Sequence, residues 1–328
     1  MVLRIRLTDT DIGQVQVAKR PDPLWELLLA AHMLQTQDAA PVFNTWRREV
    51  RTRLSAPSRR LLALAPAQGY SPDFLTPAEA ADGLESGLEA IRRTPLSRVH
   101  HELHALPPAR RNLPWAKALA NGAAADLGRL TDGMSLFLQQ AVSPYWPAIE
   151  RQLTADRDRR AGAVLHGGVD HLLATLHPDA VWQPPVLLVR NTPIERDLHL
   201  RGRGLKILPS FFCWRHPVVL RDPDLPPVLV LPIEHDPRWV LHTASRKQQQ
   251  VAALIGRTRA ALLEATARSQ CTTDLARQIH TSASCTSEHL KVLREAGLIT
   301  TRREGVAAIH TLSPLGRCLL DGVPQRSD

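Results

Sequence analysis

Polar side chains recur at helical spacing near the end of the chain. Ser284, Ser287 and Lys291 follow one another at intervals of three and four residues, which places them on one face of a helix. The residues that interleave with them form the opposite, inward face: Thr286, Leu290 and Leu293. Hydroxyl groups can donate to or accept from the edges of nucleic-acid bases, and ammonium groups suit phosphates. The spacing therefore predicts a helix that presents polar groups to a nucleic acid.

Two short helices and a β-hairpin are predicted to position these side chains. The first helix covers residues 273–279, and the second runs from Ser282 to about residue 296, where Gly297 can end it by adopting a positive φ. Two strands follow at residues 298–303 and 307–312, joined by a turn at Glu304–Gly305. This order is the plan of a winged helix-turn-helix, whose second helix enters the DNA major groove.

The same stretch resembles the DNA-binding core of the ArsR/SmtB family of bacterial transcription regulators. The resemblance covers residues 254–320 and rests on two motifs, Ser282…Ser287-Glu288-His289-Leu290…Leu293 and Leu293-Arg294-Glu295-Ala296-Gly297-Leu298-Ile299 followed by Arg302 and Gly305. It implies a homodimer that binds double-stranded DNA. Helices at residues 239–267 and 314–320 would form the dimer interface.

The helix geometry and the resemblance together select the residues expected to contact DNA. Base edges are assigned to Ser284 and Ser287, with Ser282 at the start of the helix. Phosphate contacts are assigned to Thr272, Thr273, His289 and Lys291, and contacts of the wing with the backbone or the minor groove to Arg302 and Arg303. Two departures bear on this assignment: Val306-Ala307-Ala308 follow the wing turn, and the acidic Glu288 lies on the outer face.

Neither a metal site nor a catalytic set is predicted. Metal-binding members of the family place a Cys-x-Cys pair at the helix before the turn, whereas only Cys271 stands there in this chain. The segment 100–104 contains three histidines, but Glu102 does not directly follow the first of the pair spaced as in zinc proteases. The Gly-x-Ser-x-Gly pattern of many hydrolases does not occur. We therefore expect no metal, no cofactor and no enzymatic activity.

Charge and cysteine content agree with a DNA-binding protein inside a bacterial cell. The formal net charge of the 328 residues is +9, and residues 238–328 contain thirteen Lys and Arg against seven Asp and Glu. Such a concentration suits a phosphate-binding face, although an arginine-rich solvated surface would give the same count. The four cysteines show no disulfide framework, and neither a signal peptide nor a membrane-spanning stretch is evident. These features predict a cytoplasmic protein.

The expected fold class is α+β, with two domains. Residues 1–237 would form an N-terminal effector or assembly domain, helical over 1–180 and β-rich over 181–237, and residues 238–328 the winged helix-turn-helix. The segments "LLATLHPDAVW" and "GRGLKILPSFF" resemble a domain of unassigned role that precedes ArsR-like winged helices. Within the N-terminal domain, residues 2–7 and 15–17 are expected to pair as strands. Arginines such as Arg47 are expected on a solvated helix face.

A small-molecule effector site, if the chain has one, is expected in residues 1–235, because every Trp, Tyr and Phe lies at or before Trp239. Candidate walls are Trp25, Trp46, Trp146, Trp182, Phe211, Phe212 and Trp214, each of which could instead fill a core. The leading hypothesis is a homodimeric, ligand-responsive repressor. The alternatives are a constitutive or architectural DNA-binding protein and, last, an enzyme in residues 1–235 with an accessory winged helix.

Overall fold

The chain divides into two compact units. The first unit is Met1–Val240 and the second unit is Leu241–Asp328. The computed structural model describes residues 1–67, 69–121, 124–193, 195–237, 239–242, 251–267, 270–279, 281–304 and 307–321. Within this part of the chain, no helix combines the length and the apolar character needed to cross a membrane.

The first unit is mainly helical up to residue 174. Its α-helices are α1 (Asp9–Gly13), α2 (Pro23–Gln35), α3 (Ala40–Arg53), α4 (Ala56–Leu64), α5 (Leu84–Arg92), α6 (Leu96–His104), α7 (Pro108–Arg111), α8 (Pro114–Asn121), α9 (Ala124–Phe137) and α10 (Trp146–Ala174). Short 3-10 or π turns occupy Asp73–Leu75, Ala78–Asp82, Leu138–Val142 and Ser143–Tyr145. Helix α10 contains a break at Gly167–Gly168.

Helix α2 is the central helix of this unit. The Asp22 side chain caps it by accepting hydrogen bonds from the amides of Leu24 and Trp25, and Pro23 fits its first turn. Most of its side chains are buried, which is typical of a helix that is apolar on nearly all sides. Its buried Glu26 carboxylate accepts hydrogen bonds from the amides of Phe211 (2.9 Å) and Phe212 (3.2 Å), and so joins the helix to the sheet region.

Two four-stranded sheets complete the first unit. The strands are β1 (Val2–Arg6), β2 (Val15–Val17), β3 (Ala180–Gln183), β4 (Val186–Arg190), β5 (Arg196–His199), β6 (Leu205–Ser210), β7 (Val218–Val219) and β8 (Val228–Pro232). One sheet has the order β3-β4-β1-β5 and the other the order β2-β6-β8-β7. Apolar side chains of both sheets, including Ile5, Val189, Ile207 and Leu229, share one core.

The predicted pairing of residues 2–7 with 15–17 is wrong. Strand β1 pairs with β4 and β5, whereas β2 pairs with β6 in the other sheet. The reason lies in the connection between them, where Thr8 and Asp11 form a capping box that starts α1 instead of a hairpin turn. Asp11 also accepts a hydrogen bond from the Gly204 amide at 2.9 Å, which ties the connection to the chain just before β6.

The predicted position of Arg47 is also wrong. Its side chain was expected on a solvated face of α3, but the residue is only 2% exposed. The guanidinium donates to the Met33 carbonyl at 2.7 Å, to the Asn44 side chain at 3.0 Å and to Thr36 Oγ1 at 3.1 Å. These polar acceptors, two at the end of α2 and one within α3, compensate the burial of its charge.

The second unit contains a helical stretch at residues 251–255, followed by α11 (Arg257–Ala265), β9 (Gln270–Cys271), α12 (Thr272–Gln278), α13 (Ala283–Glu295), β10 (Ile299–Glu304), β11 (Ala307–Leu312) and α14 (Pro314–Asp321). Gly256 at φ 88° interrupts the helix predicted over 239–267, and residues 243–250 lie outside the described part. The sheet order is β10-β11-β9. Leucines from four elements form a separate core: Leu262, Leu263, Leu275, Leu290, Leu293 and Leu312.

Candidate nucleic-acid interface

Helix α13 has one buried and one exposed face. Thr286, Leu290 and Leu293 are buried against α11 and α12, as the spacing predicted. The opposite side is exposed and consists of Ser284, Ser287, Glu288, Lys291 and Glu295, each of which lies three or four residues from another member of the set. We call these five residues the outer face of α13. It offers two hydroxyls, one amine and two carboxylates to the surroundings.

The start of α13 is fixed by a side-chain cap. Ser282 Oγ accepts a hydrogen bond from the Cys285 amide at 3.2 Å, as expected of a serine at this position. The Ser282 hydroxyl also lies 3.2 Å from the Ser284 hydroxyl. The first hydroxyl therefore has a structural role, and its neighbour Ser284 is held at the helix N-terminus.

Charges on the outer face are mixed rather than uniformly positive. Lys291 Nζ lies 4.0 Å from Glu295 Oε1, and both side chains are about two-thirds exposed. An exposed pair of this kind is easily opened in water, so Lys291 can still exchange its partner for a phosphate. His289 is half-buried beside the outer face.

Helix α12 has no side-chain cap at its N-terminus. Cys271 is the residue before the helix. The Thr272 hydroxyl instead lies 2.9 Å from His310 Nε2 on β11, while Thr273 is exposed. Of the two threonines assigned to phosphates, Thr273 is thus the more accessible.

His310 joins the helix-turn-helix to the hairpin, and the sequence reasoning missed it. Its Nδ1 lies 2.9 Å from the Thr301 hydroxyl on β10, so the ring bridges β10 and α12. Burial lowers the pKa of His310, and the charge of Arg294 acts in the same direction. A neutral imidazole can donate through one nitrogen and accept through the other, which matches two hydroxyl partners.

The hairpin places Arg302 and Arg303 at successive positions of β10. Arg302 pairs in register with Ile309 and Arg303 with Ala308, and both arginines are exposed. Successive residues of a strand point to opposite faces of the sheet. The two guanidinium groups therefore project from opposite faces of the hairpin. Gly305 and Val306 of the predicted turn lie outside the described residues.

Close packing between α14 and the helix end is a second feature that the sequence reasoning missed. Gly297 ends α13 with φ 70°, as predicted. Ser313 Oγ donates to the Gly297 carbonyl at 2.6 Å and accepts from the Gly316 amide at 3.0 Å. A Cβ atom on Gly316 would lie only 2.0 Å from the Leu298 carbonyl oxygen. A serine directly after a strand and a glycine three residues later were the available signals.

The cysteines and histidines do not cluster in the described part of the chain. Cys271 Sγ lies 3.1 Å from Asp274 Oδ2, and Cys285 belongs to α13. In α6, His100 and His104 stack at 4.2 Å, while Glu102 bonds Arg98 and the Phe74 amide instead. No group of three or more His, Cys, Asp or Glu within the described residues could hold a metal ion.

Comparison with known families identifies the segment that contains α12 and α13. Residues 260–301 match the bacterial regulatory protein, arsR family, helix-turn-helix model. The match begins in α11 and ends in β10, and it covers about an eighth of the chain. It supports the resemblance that the sequence motifs gave for this segment. No curated protein and no solved structure matches the chain at a significant level.

Proposed function

We propose that the chain is a sequence-specific, DNA-binding transcription regulator that acts in the bacterial cytoplasm. The observation that carries this proposal is the outer face of α13 within a helix-turn-helix that matches the arsR family. Ser284 and Ser287 would contact base edges, and Lys291 with His289 would contact phosphates. Thr273, near the start of α12, would add a phosphate contact, and Arg302 and Arg303 would contact the DNA backbone or minor groove.

We further propose that the regulator is a homodimer. Two leucines of the second unit are exposed in the single chain, Leu254 at 73% and Leu315 at 56%. They lie on the helices that flank the helix-turn-helix, where the family resemblance implies the dimer interface. Burying both against a second copy would remove apolar surface from water. A two-fold dimer would present two copies of α13 to two half-sites of the operator.

The proposed response is repression that a ligand relieves or strengthens, with no catalytic step. Support comes from the size of the first unit, which is much larger than DNA binding alone requires. An effector must bind the DNA-competent and the DNA-free states with different affinities. A constitutive DNA-binding protein would lack that difference.

Genome-wide mapping of bound DNA tests this proposal. The full-length protein should be enriched at a small number of promoter-proximal sites that share one sequence. Deletion of the gene should then raise transcription of the flanking genes. Uniform coverage that follows only local base composition would instead indicate an architectural protein, and loss of transcription after deletion would indicate an activator.

A further inference from the structure

A cavity of about 910 Å³ lies within the first unit. Its size falls within the range of small-molecule sites in proteins, about 300–1,000 Å³. The apolar part of its wall includes Trp25, Leu28 and Met33 of α2, together with Phe212, Val218 and Leu220 from the sheet region. The cavity is thus formed by segments far apart in sequence.

Three of the seven aromatic residues expected as walls line this cavity: Trp25, Phe212 and Trp214. The other four do not. Trp46 and Phe211 belong to the helical core, against which Trp146 also packs, and Trp182 packs against the core of the two sheets. The cavity therefore borders the aromatic core: Trp25 and Phe212 belong to both, and Trp214 packs against the core.

Two buried N–H groups of cavity-lining residues have no hydrogen-bond partner within the described structure, Arg196 Nε and Trp214 Nε1. Buried donors are almost always paired with protein or water in native proteins. Arg196 is held in place by hydrogen bonds from its other nitrogens to the carbonyls of Leu220 (2.9 Å) and Arg221. The Trp214 ring packs edge-on against Phe43 at 6.0 Å. Both donors are thus fixed and lack an acceptor.

The charged residues of the wall leave one positive charge in excess. The wall contains three arginines, Arg196, Arg215 and Arg221, and two aspartates, Asp38 and Asp73. His216 also lines the cavity, but its ring lies 2.6 Å from the Asp179 carboxylate, which offsets any charge that the ring holds. Arg215 lies 3.9 Å from Asp38, and the Arg221 guanidinium stacks 5.0 Å above the Tyr70 ring.

His32, another wall residue, adds no charge near neutral pH. Burial lowers its pKa to about 4, and its ring nitrogens bond the Pro66 carbonyl and the Ser71 hydroxyl. The wall therefore favours a ligand with a single negative charge.

We propose that this cavity binds an organic monocarboxylate with an apolar body. The carboxylate accepts hydrogen bonds from Arg196 Nε and Trp214 Nε1, and the body packs against Trp25, Leu28 and Phe212. A carboxylate supplies the acceptors that both buried donors lack and balances the excess charge. Binding itself does not depend on DNA recognition. Only its effect on operator affinity rests on the proposed function.

Calorimetric titration of the full-length protein tests the ligand class. The probes are indole-3-propionate, 4-phenylbutyrate and decanoate, each beside its primary amide, which has the same shape but no charge. At least one acid should bind, and at least tenfold more tightly than its amide. If none of the three acids binds, or if the amides bind equally well, the assignment of an organic anion is wrong.

A pair of tryptophan variants tests the site. Trp214→Phe removes an N–H that has no partner among the described protein atoms, so the melting temperature of the ligand-free protein should fall no further than in the control variant, while the acid binds at least fivefold more weakly. The matched control is Trp182→Phe, because Trp182 Nε1 donates to Asp170 at 2.7 Å and is not part of the cavity wall. Equal affinities of both variants for the acid would overturn the placement of the carboxylate.

Two further variants test the charge of the wall and the space within the cavity separately. Arg221→Gln should weaken the acid but leave the amide unchanged, whereas Arg93→Gln, on an exposed ion pair of α5, should change neither. Leu28→Trp should narrow the cavity beside α2 and weaken the binding of every probe. Undiminished binding to Leu28→Trp, with its fold verified by circular dichroism, would place the ligand elsewhere. Acid binding that leaves DNA affinity unchanged would keep the site and refute only its regulatory role.

Discussion

At the scale of single residues, the proposed DNA contacts divide into two kinds. Ser284 and Ser287 are short and lie at the exposed side of α13, where close approach to base edges is possible. Lys291, Arg302 and the other cations are long and suit phosphates, which carry no sequence information directly. The two kinds should respond differently to mutation, because one affects base preference and the other affects all DNA equally.

The residue-scale prediction for DNA follows from this division. Ser284→Ala and Ser287→Ala should each cost about 1–3 kcal/mol against the preferred base only, and so relax specificity. Lys291→Ala and Arg302→Ala should weaken binding to every sequence and reduce the dependence of affinity on salt. Fluorescence anisotropy at several salt concentrations measures both effects. Ser97→Ala, an exposed serine of α6, is the control, and an unchanged affinity in all four variants would contradict the contact assignment.

Glu26 gives a second prediction at this scale, concerning pH. Burial raises the pKa of Glu26 from 4.5 to about 7, although amide hydrogen bonds from Phe211 and Phe212 oppose the shift. Between these two values the folded state holds a proton that the unfolded state has lost. The contribution of Glu26 to the free energy of unfolding should therefore be largest below pH 4.5 and fall as pH rises to 7, by on the order of 3 kcal/mol.

Denaturant unfolding followed by tryptophan fluorescence measures this dependence, since all seven tryptophans lie between Trp25 and Trp239 and report on the first unit. Glu26→Gln should flatten the decline between pH 4.5 and 7. It should also lower stability throughout, because an amide has one acceptor oxygen for two donors. An equally steep decline in Glu26→Gln would show that another group is responsible.

At the scale of elements, the sequence predicted individual helices from local patterns, but it did not predict which strands pair when they are far apart in the chain. Helix α13 was predicted from Ser282 to about residue 296 and runs from Ala283 to Glu295. Its cap, its apolar spacing and its terminal glycine all lie within the helix or next to it. The partners of β1, by contrast, are β4 and β5, 180 or more residues away, and nothing near residues 2–6 specifies them.

The element-scale prediction concerns the contact between α14 and the end of α13. Gly316→Ala would place a methyl group 2.0 Å from the Leu298 carbonyl oxygen. Relief of this clash requires α14 to move, which should cost about 1–3 kcal/mol in the stability of the second unit. Hydrogen exchange of residues 251–321 in the full-length protein should show faster exchange.

Gly128→Ala is the control, because it also adds a methyl group to a helix glycine but has nothing within 4 Å of the new atom. It should stabilise α9 by about 0.5–1 kcal/mol through helix propensity. Unchanged exchange in Gly316→Ala would mean that α14 accommodates the methyl group and does not position the helix end.

At the scale of the whole molecule, the chain contains two units with different predictability. Helix α13 and the hairpin of the second unit were predictable because they are short, sequential and bounded by a capping serine and a terminal glycine. The cavity of the first unit was only partly predictable, since its wall combines α2 with residues near 70 and 220. The residue type alone could not show that Trp214 lines the cavity whereas Trp46 is buried in the core.

The whole-molecule prediction concerns assembly. Leu254→Glu and Leu315→Glu should each convert the dimer into monomers, because a charge at a buried apolar contact is unfavourable. Light scattering at micromolar concentration measures the mass. Leu165→Glu is the matched control, since Leu165 is 89% exposed in the first unit and outside the proposed interface. A wild-type mass of one chain would refute the dimer directly.

Selection from a random-sequence duplex library tests the central claim most directly. The full-length protein should enrich a near-palindrome with half-sites about one helical turn apart, as two copies of α13 require. A variant with both Ser284→Ala and Ser287→Ala should enrich a more degenerate sequence from the same library. A wild-type protein that enriches no sequence after repeated rounds would contradict the account.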